Sequence, residues 1–163
     1  MTALKHVSDR YDPDGNVNLA GFSASLATYA VSLAALVAVG RATGNAPARY
    51  LLGDLVVGGV ATYKFSRLIS MGSVTSPLRA PFTQFEKAAG ASEHVEVPQG
   101  AHGVRHTVGE LLTCPFCLGV WIGTAYVAGL GVAPRAARAW AAVFAVTGVS
   151  DFLQHAYARL ADG

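Results

Sequence analysis

Both cysteines of the chain, Cys114 and Cys117, lie in the stretch ELLTCPFCLGVW, at a C-x-x-C spacing and directly before an apolar segment. If a helix begins at Thr113, with Thr113 as its N-cap, Pro115 falls in the first turn, where its missing N–H costs no hydrogen bond. Both thiols then feel the positive end of the helix dipole, which lowers a thiol pKa and favours the reactive thiolate. The pair could therefore support thiol redox chemistry, although two small cysteines that only pack at a helix start would give the same pattern.

A metal site is the second chemistry that this pair could support. Asp151 and His155 stand four residues apart near the end of a later apolar segment, so their side chains would share one helix face. Together with Cys114 and Cys117 they would form a four-ligand set suited to zinc or iron. The same two residues could instead cap and solvate the end of a helix, and the sequence leaves both interpretations open.

The composition indicates a membrane protein of one domain, residues 1–163. Hydrophobic residues make up 52% of the chain and charged residues 13%, about half the charged share of a soluble domain. A water-soluble core of this size could not enclose so much apolar surface, which leaves lipid as the solvent. The net charge of +2 is too small to suggest a nucleic-acid partner.

Four segments are long and apolar enough to span a membrane, and they predict an all-α, four-helix transmembrane bundle. These spans are residues 19–40, 50–70, 113–132 and 139–157. Eight of the 12 Lys and Arg residues would share one side with both termini and the central loop. The positive-inside rule therefore places the termini and that loop in the cytoplasm, in a multi-pass protein of the inner membrane.

Ionisable residues within or beside the predicted spans are functional candidates, because such groups are expensive in hydrocarbon. They are Asp54, Lys64, Arg67 and Glu110. We expect Lys64 and Arg67 to reach the interface with their long side chains. Glu110, one turn before the cysteines, could be a ligand or a base, or be merely solvated. Asp54 could belong to a proton or ion path, or could pair with one of the arginines Arg49, Arg135 and Arg138.

The longest polar region, residues 71–112, is predicted to be a small cytoplasmic insertion. Two short alternating runs, Phe82–Lys87 and Glu93–Val97, flank a turn that contains glycine and predict a β-hairpin. Residues 103–113 predict a short amphipathic helix. This insertion is the natural surface for a protein partner. Because arginine and aromatic residues are favoured in binding hot spots, its predicted docking residues are Arg79, Phe82 and Phe85.

Three stretches, DLVVGGVATYKFSRLIS, TSPLRAPF and GELLTCPFCLGVW, resemble in order and spacing a family of small bacterial membrane proteins, domain of unknown function 1360. The resemblance covers about residues 50–125, and CPFCLGVW is its most specific part. Some members are labelled sporulation proteins, so the resemblance implies a bacterial membrane protein with a sporulation link and no established activity. The matching positions are Asp54, Arg67, Pro77, Arg79, Pro81, Phe82, Glu110, Cys114, Pro115, Cys117, Gly119 and Trp121.

The sequence favours a non-enzymatic accessory or scaffold subunit, which docks a protein partner or a second copy of itself through the cytoplasmic loop. The alternative is a membrane thiol-redox or metal-binding protein that uses Cys114 and Cys117. A small oligomeric transporter is the third hypothesis. In a reducing cytoplasm we expect both thiols to be free or metal-bound rather than joined in a permanent disulfide.

Overall fold

Helices make up most of the chain in the computed structural model, which describes residues 10–44, 50–90 and 92–161. A two-stranded sheet interrupts them, so the predicted helical fold with a small β-hairpin is confirmed at this coarse level. The elements are α1 Leu19–Thr43, α2 Leu52–Met71, α3 Ser76–Arg79, β1 Thr83–Ala88, β2 His94–Pro98, α4 Val104–Thr113, α5 Pro115–Val132 and α6 Pro134–Ala161, with a 3₁₀ turn at Ser73–Thr75.

Three helices of the described chain, α1, α5 and α6, are long and apolar enough to cross a membrane. The first and third predicted spans are therefore confirmed as apolar helices. The fourth is longer than predicted, since α6 already begins at Pro134, and proline is well tolerated in a first helical turn. The second predicted span forms α2, a helix of 20 residues. It carries three charged residues and is not among those three apolar helices.

The central helix is α2, which packs against both α5 and α6. The core between them consists of Ala61, Tyr126, Leu130 and Ala141, with Trp140 and other partly buried side chains against it. Gly58 has no side chain, so the ring of Tyr126 lies directly against the backbone of α2. By contrast, no side chain of α1 is buried. That helix meets α5 through Tyr29, whose hydroxyl lies 2.8 Å from the Thr124 hydroxyl.

Ion pairs fix the direction of the helices. Asp54 near the start of α2 pairs with Arg138 near the start of α6, and Lys64 further along α2 pairs with Asp151 further along α6. These two helices are therefore parallel. Only one residue separates the end of α5 from the start of α6, so the chain reverses there and α5 runs antiparallel to both. The hairpin, α4, the start of α5 and the last turns of α6 thus lie at one end of the bundle, which we call the hairpin end.

The predicted hairpin is confirmed. Strand β1 pairs antiparallel with β2, with Thr83 opposite Pro98 and a bulge between Phe85 and Lys87. The predicted amphipathic helix is α4, which packs on β2. Gly109 permits this contact, because a Cβ there would lie 2.5 Å from the carbonyl oxygen of Phe82.

Candidate functional site

The most elaborate polar cluster of the described residues joins α2 to the hairpin through Arg79, whose surface is fully buried. Its Nη1 donates to the carbonyl oxygens of Ile69 (2.6 Å) and Gly72 (3.1 Å), both at the end of α2. On the opposite side, Nε and Nη2 donate to the carboxylate of Glu96 at 3.0 and 2.6 Å. The guanidinium therefore binds the C-terminal end of α2 and the middle of β2 at once.

Glu96 completes this cluster, which we call the arginine clamp: Arg79, Glu96 and the hydroxyls that bind them. Ser76 Oγ and Thr83 Oγ1 donate to the Glu96 carboxylate at 2.9 and 2.5 Å. Burial alone would raise the pKa of this carboxyl, but the hydrogen bonds from Arg79, Thr83 and Ser76 and the positive charge of Arg79 lower it to about 2. The carboxylate is therefore ionised and saturated with donors.

A second ion pair ties the hairpin turn to α2. The Arg67 guanidinium donates to both carboxylate oxygens of Glu93, at 2.8 and 2.7 Å. Next to it, the backbone N–H of Ser73 donates to the carbonyl oxygen of Ser92 at 2.9 Å. Arg67 thus binds the insertion, and its reach to the membrane interface stays a prediction. Its side chain is 41% exposed, so this pair is more open to solvent than the arginine clamp.

The exposed part of the insertion is strand β1. All its residues after Thr83 are exposed, and 63% of the Phe85 surface is accessible. Of the predicted docking residues, Phe85 is exposed and Phe82 is half-buried. For Arg79 the prediction is wrong, because a fully buried guanidinium cannot contact a partner. The sequence pattern identified an important arginine and assigned it the wrong role.

Helix α4 connects the insertion to α1. The Asn18 side-chain amide donates to Thr107 Oγ1 (2.8 Å) and to Glu110 Oε2 (2.7 Å), and it caps α1 by accepting from the Gly21 N–H. His106 Nε2 lies 3.5 Å from the other carboxylate oxygen of Glu110. Glu110 is therefore held by hydrogen bonding, and its role as a ligand or base stays a prediction. It links two helices at the hairpin end.

The C-x-x-C pair lies at the junction of α4 and α5. Thr113 was predicted to be the N-cap of α5, but it ends α4 instead. The N-cap of α5 is Cys114, whose Sγ accepts the N–H of Cys117 at 3.2 Å. Pro115 does occupy the first turn of α5. The structure joins the two sulfurs as a disulfide, with their Cα atoms 5.3 Å apart, where we expected free or metal-bound thiols. Cys117 is exposed and Cys114 half-buried.

The predicted metal ligands are not brought together. Asp151 forms an ion pair with Lys64 of α2, and His155 Nδ1 lies 2.9 Å from the Asp151 carbonyl oxygen in its own helix. Within residues 10–44, 50–90 and 92–161, no three His, Cys, Asp or Glu side chains form a group that could hold a metal ion. Zinc or iron at the cysteines alone stays a prediction.

Two further ion pairs lie between α2 and α6. Asp54 accepts two hydrogen bonds from Arg138, at 2.9 and 2.8 Å, so one of its three predicted arginine partners is found. Arg49 lies outside the described residues. Lys64 pairs with Asp151, and its stem lies against Gly148. Its reach to the membrane interface stays a prediction. Sequence reasoning missed most of these partners, above all Glu93 and Glu96.

Comparison with known proteins gives two matches. The family described as Protein of unknown function (DUF1360) matches residues 57–157, which contain both ion pairs of the hairpin and both cysteines. A curated relative, Sporulation protein YjcA of Bacillus subtilis (strain 168), is 29% identical over 103 residues, or 61% of this chain and 86% of that relative. No solved structure matches the chain.

Proposed function

This chain belongs to the protein family of unknown function DUF1360, and on that premise we propose that it is a membrane-embedded docking subunit. In this proposal it is an accessory or scaffold protein, whose four long helices hold a rigid hairpin at one membrane face. The arginine clamp is the observation that carries the proposal. A buried ion pair fixes the hairpin to α2, while β1 stays exposed after Thr83. This is the arrangement expected of a rigid surface that binds a protein partner.

We propose that α2 is the fourth membrane span. Its 20 residues make a helix about 30 Å long, which matches the hydrocarbon thickness. It packs between the apolar helices α5 and α6, and its charged Asp54 and Lys64 both pair with residues of α6. Because α2 packs along two apolar helices of spanning length, we propose that it crosses with them, and its paired charges reduce the cost of crossing.

We place the hairpin end in the cytoplasm. Eight of the 12 Lys and Arg residues belong to the termini and to the segment between Lys64 and Arg105, on the side of the hairpin. The positive-inside rule then orients the bundle with both termini and the insertion in the cytoplasm. Because the relative from Bacillus subtilis is named a sporulation protein, proteins of spore formation are the first partners to test.

The docking face in this proposal is β1, centred on Phe85. This strand forms one edge of a two-stranded sheet and has no further strand beside it among the described residues. An exposed strand edge offers backbone hydrogen bonds to an added strand, and an aromatic side chain is a favoured hot spot. Phe85 is already oriented by its edge-on contact with the His94 ring, at a centroid distance of 5.1 Å.

Phe85→Ala tests this proposal. A photo-crosslinking amino acid placed at Gln84 in living cells should capture a specific partner, and adding Phe85→Ala should reduce that product by roughly tenfold or more, as expected for an aromatic hot spot. Phe22→Ala is the matched control, because it removes a comparably exposed phenyl ring from α1. It should leave the product unchanged.

A crosslinker at Val120, which is exposed on α5, controls for capture of abundant membrane proteins. The docking proposal is contradicted if position 84 gives only the products seen at position 120. It is contradicted equally if a position-specific product survives Phe85→Ala at full yield.

A further inference from the structure

We infer that Cys114 and Cys117 form a thiol–disulfide exchange site at the hairpin end, whose co-substrate is a dithiol or its disulfide. The docking role proposed above uses no bond chemistry, so this inference goes beyond it and stands independently of it. It rests on the position, the unequal exposure and the hydrogen bonding of the two sulfurs.

The backbone positions the pair for reversible bonding. Cys114 is the single residue between α4 and α5, with an extended backbone (φ −106°, ψ 100°), and Cys117 lies in the first turn of α5. This arrangement holds the two Cα atoms 5.3 Å apart, within the range that a disulfide requires. Since both helices flanking Cys114 are fixed by packing, the sulfurs stay close whether or not they are bonded.

A structural role explains this bond poorly. A disulfide stabilises a protein largely by restricting its unfolded chain, and that effect grows with the length of the closed loop. A bond between residues three positions apart closes one of the shortest loops possible. It therefore adds little to stability, whereas it places an oxidisable pair on the surface of a helix start.

The two sulfurs have different surroundings, which assigns them different roles. Cys117 is exposed, so an incoming thiolate can reach its Sγ. Cys114 is half-buried, and its Sγ accepts the Cys117 N–H at 3.2 Å in the first turn of α5. That donor and the helix dipole stabilise a thiolate on Cys114, which makes it the better leaving group.

The exchange proceeds in two balanced steps. A thiolate of the external dithiol attacks Cys117 Sγ, forming a mixed disulfide there, while the bond to Cys114 breaks and its electron pair stays on Cys114 as a thiolate. The second thiol of the dithiol, after losing its proton to water, attacks the external sulfur of the mixed disulfide and releases Cys117 as a thiolate. Both cysteines are then protonated from water, and the external dithiol has become a disulfide. The reverse sequence oxidises this pair.

Phe116 adds a surface for a protein co-substrate. It lies between the two cysteines, and 88% of its surface is exposed, the largest fraction among the exposed large hydrophobic residues of the described chain. An apolar ring beside the attacked sulfur can contact a protein dithiol but adds nothing to the reaction of a small thiol. The source of the thiol can therefore be distinguished experimentally.

The test uses the full-length protein purified in detergent and oxidised. It is incubated with a thioredoxin-type protein dithiol or with glutathione, quenched in acid, and labelled with a heavy maleimide that shifts its mobility. We expect the protein dithiol to release both thiols without denaturant, and Phe116→Ala to slow that reaction severalfold while leaving the glutathione reaction unchanged. Equal slowing of both reactions, or of neither, would overturn the role of Phe116 as a contact for a protein co-substrate.

Single variants test the assignment of roles. In Cys114→Ser the remaining Cys117 should react with a small aromatic disulfide at least about tenfold faster than Cys114 does in Cys117→Ser, because of its exposure. The double serine variant controls for non-specific labelling. The reverse order of reactivity overturns the assignment of Cys117 as the attacked sulfur.

Two results overturn the exchange site itself. One is a pair that resists both reductants until the protein is denatured, which identifies a permanent disulfide. The other is a pair of reduced thiols that label only after a chelator removes zinc or iron, with that metal present in the purified protein. Neither result depends on whether a partner binds β1.

Discussion

Arg79→Ala is expected to detach the hairpin from the end of α2 while the long helices remain folded. The substitution leaves the Glu96 carboxylate buried without its cation. Breaking a buried pair by removing one partner costs about 3–5 kcal/mol, more than a two-stranded sheet can supply by itself. In membranes, limited proteolysis should therefore cut residues 80–103 much faster than in the wild type.

Two companion variants separate the ion pair from simple loss of volume. Arg79→Met with Glu96→Leu replaces the pair by apolar side chains and should recover most of the protection, since no charge stays buried. Glu96→Gln keeps the shape of the side chain and should weaken the hairpin less than Arg79→Ala does. A hairpin that stays protected in Arg79→Ala would show that the clamp does not hold it.

The same carboxylate predicts an acid dependence. Its pKa is lowered from 4.5 to about 2 in the folded protein, so its contribution is complete above about pH 4.5 and is lost as the pH falls towards 2. Thermal unfolding in detergent should therefore show stability that declines between about pH 4.5 and about pH 2 in the wild type. Glu96→Gln should remove that part of the decline, and an unchanged decline would contradict the assignment.

Asp151→Leu is the second substitution with a large expected effect, because it leaves Lys64 without its partner on α2, which we propose to span the membrane. An unpaired lysine in a membrane helix costs up to about 2.5–3.5 kcal/mol, the value at the helix centre, and this side chain is 22% exposed, against 45% for Asp151. We expect the amount of protein in the membrane to fall severalfold. Quantitative blotting of washed membranes measures it.

Variants that leave no unpaired charge at positions 64 and 151 should restore the amount of protein in the membrane. Lys64→Met with Asp151→Leu removes both charges, and Lys64→Asp with Asp151→Lys exchanges them; either should return the amount in the membrane towards the wild-type value. Arg67→Ala is the contrasting control, because Arg67 lies in the last turns of α2 and pairs with Glu93 of the hairpin instead of with a neighbouring long helix, and a partly exposed ion pair contributes only up to about 1 kcal/mol. Equal losses for Arg67→Ala and Asp151→Leu would show that Lys64 does not need a partner.

Hydropathy was sufficient to locate the long helices, because lipid selects for runs of apolar residues. Hydropathy alone does not identify α2 as a membrane span, because the charges of α2 are neutralised by partners far away in the chain. Asp151 lies 87 residues from Lys64, and no local pattern reveals such a pair. The helix carries three charges in sequence, and in the structure each is paired with an oppositely charged side chain.

The arginine clamp shows a different limit. Glu96 stands between Val95 and Val97, so strand alternation predicts that it points outwards. It points inwards because its carboxylate binds the buried guanidinium of Arg79, 17 residues earlier in the chain. At the cysteines, the spacing and Pro115 predicted a helix start to within one residue, whereas the bonding of the sulfurs depended on the conformation of Cys114.

The crossing of α2 is the claim on which the position of the hairpin depends, and reporter fusions at Gly44 and Gly90 test it most directly. These positions follow α1 and precede β2 respectively, so only α2 lies between them among the long helices. Four spans predict that a fusion at Gly44 reports the exterior and one at Gly90 the cytoplasm. Fusions that report the same side at both positions would show that α2 does not cross, and would contradict the account.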